Sequence, residues 1–165
     1  MNPRCDVLRI KRGLLFFWAL WLSIVFMSNT ADGLKALKVL PDTWPFASGN
    51  YLFMVKVTNI YSTPESMVAI LFSGVVIWEG LGALLFWRSF REFNGVNGSG
   101  LTTVYTAFGV SMALWAAFVI ADEIFVAYKT YNSLEEGHMG IFALQLISLL
   151  VLRLLPDESV KSDSL

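Results

Sequence analysis

Apolar residues run along this chain in long, nearly unbroken stretches, without the strict alternation that marks half-buried strands. A membrane-crossing helix needs roughly 20 mostly apolar residues, because the hydrocarbon layer is about 30 Å thick and each residue rises 1.5 Å. Four stretches fit. The first, 13–31, carries no charge, and the second, 66–87, is interrupted only by Glu79. The third is apolar from Leu101 to Ala121, and its helical pattern continues to Tyr131, giving 101–131. The fourth is 138–155, where Arg153 can snorkel to the interface.

The ends of these stretches carry ordinary punctuation. Thr63-Pro64-Glu65 reads as an N-cap, a proline in the first turn and an early acid. The glycine- and asparagine-rich segment from Asn94 to Gly100 is a turn, and Leu155-Pro156-Asp157 stops the last helix. The expected fold is all-α: an up-down-up-down transmembrane four-helix bundle, one domain over 1–158, followed by a polar tail at 159–165. Between the first two spans, Asp32 to Thr63 is too short for a domain, and its leucines and aromatics suit a loop capping the bundle or lying on the membrane. Leu34, Leu37 and Lys38 predict a helical turn or two past the first span, ending before Pro41. The pattern leaves Gly49 to Tyr61 open between a short helix and a strand.

Composition agrees: the chain is 56% hydrophobic and 15% charged, with mean hydropathy +0.60, whereas soluble domains are about 25% charged. The net charge of −1, without a basic run, gives no reason to expect a nucleic-acid partner. The lone Cys5 excludes an internal disulfide and dithiol chemistry, and the lone His138 leaves little for haem or copper. No nucleophile elbow, zinc-protease, P-loop or dinucleotide motif occurs, and no cofactor is implied.

Orientation follows from the basic residues. Arg4, Arg9, Lys11, Arg12, Arg88, Arg91, Arg153 and Lys161 fall on the N-terminal side of the bundle, with Lys35, Lys38, Lys56 and Lys129 opposite. With every arginine on one face, the positive-inside rule predicts cytoplasmic N- and C-termini. A rival reading takes 1–31 as a cleaved signal peptide, but Ser28-Asn29-Thr30-Ala31-Asp32 makes a poor cleavage site.

Glu79 is the sharpest chemical feature. It lies nine residues before Arg88, about 13 Å into the layer, where a carboxylate must be paired or protonated. Counting equal depths from the helix ends gives Trp21, Ser111 and Gln145 as neighbours. The expectation is a hydrogen bond from Glu79 to Gln145, with Ser111 or the Trp21 indole as further partners. Such a group serves a proton relay, a polar contact to a lipid-soluble ligand, or interhelical fixation.

A second polar group gathers at the outer edge: Asn29, Asp32, Asp122, Glu123 and His138, with Glu135 and Glu136 nearby. It reads either as solvated helix ends or as oxygen ligands for a divalent cation. Neighbouring Asp122 and Glu123 point about 100° apart. Gly109, Ala113, Ala117 and Ala121 form a small-residue stripe of the kind that lets helices pack closely. Glu123 flanks it, so Glu123 is the acid expected to be buried. Trp18, Trp21, Trp78 and Trp115 read as packing or as a ring-stacking pocket, and Trp87 as an interfacial anchor. Gly80 and Gly82 allow a helix to approach Glu79 closely.

The chain resembles a bacterial family of small integral membrane proteins of unestablished role. The resemblance rests on Asn29-Thr30-Ala31-Asp32, Asn50 before a Phe/Val-rich stretch, Ile77-Trp78-Glu79, and Glu123 followed by Phe125, Tyr128 and Tyr131-Asn132, then Leu155-Pro156-Asp157. The family pattern has Asn-x-Thr-Asp at the first position and a tryptophan where this chain has Ile124. The resemblance implies a bacterial plasma-membrane location and singles out Asn29, Asp32, Asn50, Glu79 and Glu123. Two roles are expected. One is an accessory subunit that binds other membrane subunits or its own copies. The other is a binding or transport protein for a proton, cation or lipophilic ligand, using Glu79 and Glu123.

Overall fold

A computed structural model describes residues 3–95, 98–130 and 134–155, without the side chains of 3–6, 134 and 135. The expectations on Val96, Asn97, Tyr131, Asn132, Pro156, Asp157, the polar tail and the side chains of Arg4, Cys5 and Glu135 lie outside the described residues.

Among the described residues the fold is all-α, with helices α1 (Pro3–Ala36), α2 (Asn50–Thr58), α3 (Glu65–Glu92), α4 (Leu101–Ile124) and α5 (Leu134–Leu154). Four of them are long and apolar enough to cross a membrane, over Val7–Ala36, Glu65–Glu92, Leu101–Ile124 and Glu136–Leu154. This is a small membrane protein. Its outward faces carry Phe17, Ile24, Ile70, Ile77, Leu84, Ile120, Leu144 and Ile147 exposed, as a lipid-facing surface requires.

Several helix ends differ from the sequence expectation. α1 starts at Pro3, ahead of the expected Gly13, and runs on to Ala36 through the expected extra turn, where Lys38 turns the chain in a left-handed conformation with φ 59°. The segment before α3 is not an open loop, because Asn50–Thr58 is helical and Asn59–Tyr61 adds a 3₁₀ turn. Thr63 does not cap α3. Its hydroxyl donates to the Thr58 carbonyl at 2.9 Å, and the Pro64 carbonyl receives the first amides of α3. α4 stops at Ile124, short of Tyr131, because Val126 adopts φ 51° and breaks the run before a 3₁₀ turn at Ala127–Lys129. The Tyr61 hydroxyl donates to the freed Ile124 carbonyl at 2.8 Å, and its ring meets Phe125 edge-on. Those contacts tie the segment after α2 to the end of α4.

Consecutive spans pack against one another. Phe16 of α1 meets Trp87 and Phe90 near the end of α3, while Gly33 meets Phe72 near its start, so α1 and α3 run antiparallel. The seam on α1 is Leu22, Phe26, Asn29 and Gly33, at the 4-3-4 spacing that keeps side chains on one face. Opposite them stand Gly82, Gly80, Glu79 and Phe72. A Cβ on Gly80 would sit 3.0 Å from the Phe26 ring, so glycine sets how close the helices come.

One prediction follows at that contact. Gly80→Val should destabilise the bundle by about 1–3 kcal/mol through overpacking, measured by reversible unfolding in mixed micelles. Gly74→Val, with open space around its Cβ, should stay within about 0.5 kcal/mol of wild type. Equal effects at the two positions would show that the seam does not depend on close approach.

Candidate functional site

At the α2 end of the bundle, polar side chains from α1, α2 and α3 join in one chain. Asn50 opens α2, and its Nδ2 donates to Asn29 Oδ1 at 2.9 Å. Asn29 Nδ2 donates in turn to both carboxylate oxygens of Glu79, at 2.7 and 2.9 Å. Asn29 and Glu79 are both buried, each 2% exposed. Asp32, one turn beyond Asn29 on the same face, accepts the Tyr51 backbone N–H at 2.7 Å and the Ser48 hydroxyl at 3.2 Å. Gly49 precedes α2 and has no side chain with which to cap it. Asp32 therefore caps α2 from a different helix, where a carboxylate also meets the positive end of the helix dipole. Tyr51 packs edge-on against Phe72, and its hydroxyl donates to Glu65 at 3.3 Å. Burial first, then the Glu65 carboxylate, pushes the Tyr51 hydroxyl above its ordinary pKa, which keeps it a donor.

The partners expected for Glu79 are corrected by this geometry. Gln145 Nε2 donates to Ser111 Oγ at 2.7 Å, in a separate α4–α5 contact. Trp21 packs among the rings of Trp18 and Trp115. Depth alone misled: equal height in the bilayer says nothing of azimuth, and it is α1 that presents its polar position to α3. Gln145 Oε1 and the indole nitrogens of Trp18 and Trp115 are buried without a partner among the described residues.

The buried acid of α4 is Asp122, not Glu123. Asp122 is 4% exposed, whereas Glu123 lies on the exposed face. The reason is that α4 packs through Val104, Ala107, Phe108, Ser111, Leu114 and Trp115, and Asp122 continues that face. The small-residue stripe points outward instead, with Gly109, Ala113 and Ala117 exposed. His138 of α5 is not simply hydrated. Its Nδ1 donates to Asp122 Oδ2 at 2.6 Å, and its ring stacks on Phe118 with centroids 4.9 Å apart. The outer rim does not converge on a metal position. Asp32 is committed to α2 and Asp122 to His138, and no group of three His, Cys, Asp or Glu is close enough among the described residues.

Both polar clusters open on one cavity of about 170 Å³. Asn29, Asn50 and Glu79 form part of its wall, and Asp122 and His138 another part. Rings of Phe53, Phe72, Trp115, Phe118 and Phe125 make up much of the rest, and α2 covers it with Phe53, Met54, Val57 and Thr58. Asp122 and Phe118 were visible in sequence only as a helix-end acid and a span aromatic. Their spacing from Trp115, seven and three residues on, is the signal that puts all three on one face. No protein-family model, no curated protein and no solved structure matches the chain.

Proposed function

We propose that the protein binds a small, largely apolar ligand in this cavity, oriented by the polar groups on its wall. The observation that carries the reading is the convergence of Glu79, with its Asn29–Asn50 chain, and the Asp122–His138 pair on one aromatic-lined space. Ligand sites are typically concave and apolar with a few convergent polar groups, and this space has that composition. Its size suits one ring: an apolar cavity of about 150 Å³ takes up benzene.

The proposed setting is the plasma membrane of a bacterium, with both termini cytoplasmic and α2 on the outer face, as the arginine asymmetry supports. A second reading, an accessory subunit or a homo-oligomer, is favoured by the outward Gly109, Ala113 and Ala117, since such stripes admit close helix contact. The ligand reading leads because it accounts for the buried carboxylates, which an outward contact surface does not.

The test is binding of single-ring probes to the full chain in lipid nanodiscs, by equilibrium dialysis against protein-free discs. Benzylammonium, benzyl alcohol and benzoate serve as probes. At least one is expected to bind, and Ala121→Phe, which fills the cavity from α4, should weaken that probe by roughly tenfold or more while the fold is retained. Binding of none, or binding indifferent to Ala121→Phe, sinks the reading.

A further inference from the structure

Resting on the cavity reading, we infer that the ligand is a small lipophilic monocation: an ammonium group carried on one aromatic ring or a chain of similar size. Part of the wall's hydrogen-bonding capacity is already spent. Asn50 Nδ2 is used on Asn29 Oδ1, Asn29 Nδ2 on Glu79, and His138 Nδ1 on Asp122. Every one of these donors ends on an acceptor within the site. The acceptors are not spent. An ionised carboxylate offers about four lone-pair positions, and Glu79 receives one amide nitrogen and Asp122 one imidazole nitrogen in the contacts above. The acceptor capacity left on the wall thus lies on the oxygens of its two acids.

Charge points the same way. Among the described residues the cavity wall includes two carboxylates, one imidazole and no lysine or arginine. An anion would meet two acids without a compensating fixed cation, at a cost that rises in a low-dielectric site. A neutral apolar ligand would leave the carboxylates desolvated, with no donor beyond Asn29 and His138. A cation meets both conditions, since an ammonium brings a positive charge and up to three donors for carboxylate oxygens on the wall. The remaining wall suits the rest of such a molecule. Trp115, Phe118, Phe72 and Phe125 line the space, and aromatic rings attract a cation through their quadrupoles and accept an apolar body. The Trp115 indole nitrogen is itself sealed and without a partner, so it is the ring that this residue offers.

The experiment compares benzylammonium with benzyl alcohol, which matches it in heavy-atom count and differs in charge and donor number. Wild-type protein in nanodiscs of neutral lipid should bind benzylammonium at least about tenfold more tightly than the alcohol, the usual scale for one hydrogen bond to a charged group. Glu79→Gln should bring the two affinities to within about threefold of each other by weakening the cation alone. Asp122→Asn provides a second variant should Glu79→Gln not fold. Equal binding of the two probes by wild type, or preference for the alcohol, overturns the cation inference and leaves the cavity reading standing. Absence of binding by benzylammonium, benzyl alcohol and benzoate alike overturns both. A preference for the cation that persists unchanged in both variants also overturns the inference, because the charge would then be read outside this cavity.

Discussion

Replacing Asn29 by leucine is expected to destabilise the bundle by about 2–4 kcal/mol, one of the two largest single-residue effects foreseen for this chain. The shape of the side chain is nearly kept, so packing along the α1–α3 seam is little changed. The polar consequences fall on both neighbours. Glu79 loses the amide that serves both its oxygens, and Asn50 loses the acceptor for its Nδ2. Magnitude separates the two possible states of the carboxylate. Neutral interhelical hydrogen bonds in membranes average about 0.6 kcal/mol, whereas removing one partner of a buried charge costs several times that. A measured loss below about 1 kcal/mol would mean that Asn29 holds a neutral acid. The cleaner measurement is a double-mutant cycle with Glu79→Leu, by reversible unfolding in micelles. With both partners apolar, nothing is left orphaned at that contact, so a coupling of about 1–3 kcal/mol is expected between the two sites. Additive effects would show that the bond seen between α1 and α3 contributes nothing to stability.

Asn29 and Glu79 were each singled out in the sequence, but their pairing was not. Spans reveal themselves because the bilayer imposes length and apolarity, and those survive any detail of packing. Rotation about each helix axis leaves a weaker trace when every face is apolar. α4 shows this. Its outward face carries small residues and its inward face large ones, the reverse of what the stripe of Gly109, Ala113 and Ala117 suggested. Asp122 rather than Glu123 was therefore the buried acid, and His138 gained a partner that no local pattern announced. The helical state of Asn50–Thr58 was undecided in sequence for a related reason. Its first amides are capped by the Ser48 hydroxyl, which takes Asn50 N–H, and by Asp32, which takes Tyr51 N–H and is distant in sequence, so only part of the cap is local. The cavity was the least legible feature, since it exists only where five helices leave space between them.

The cap that Asp32 provides leads to the other large expected effect, which is local. Asp32→Ala removes the acceptor for the Tyr51 amide and the Ser48 hydroxyl together, and with it a negative charge at the α2 N-terminus. Losses of this kind amount to about 2–3 kcal/mol, so amide exchange over Asn50–Thr58 should quicken by roughly 30- to 150-fold. The spans should exchange much as before. They pack through the core of Leu22, Phe86, Phe108 and their neighbours, to which α2 contributes nothing. Asp32→Asn keeps an acceptor and gives up only the charge, so a change of about 0.3–1 kcal/mol is expected there. Hydrogen exchange with mass spectrometry on the three proteins resolves the segments. Since α2 covers the cavity, loosening it should also speed the release of a bound benzylammonium, with Asn intermediate between wild type and Ala. If exchange rises equally in α2 and α4, Asp32 supports the whole bundle and is no latch. If α2 alone loosens and release does not quicken, the ligand leaves by a route between the spans, and α2 is a wall of the site rather than its door.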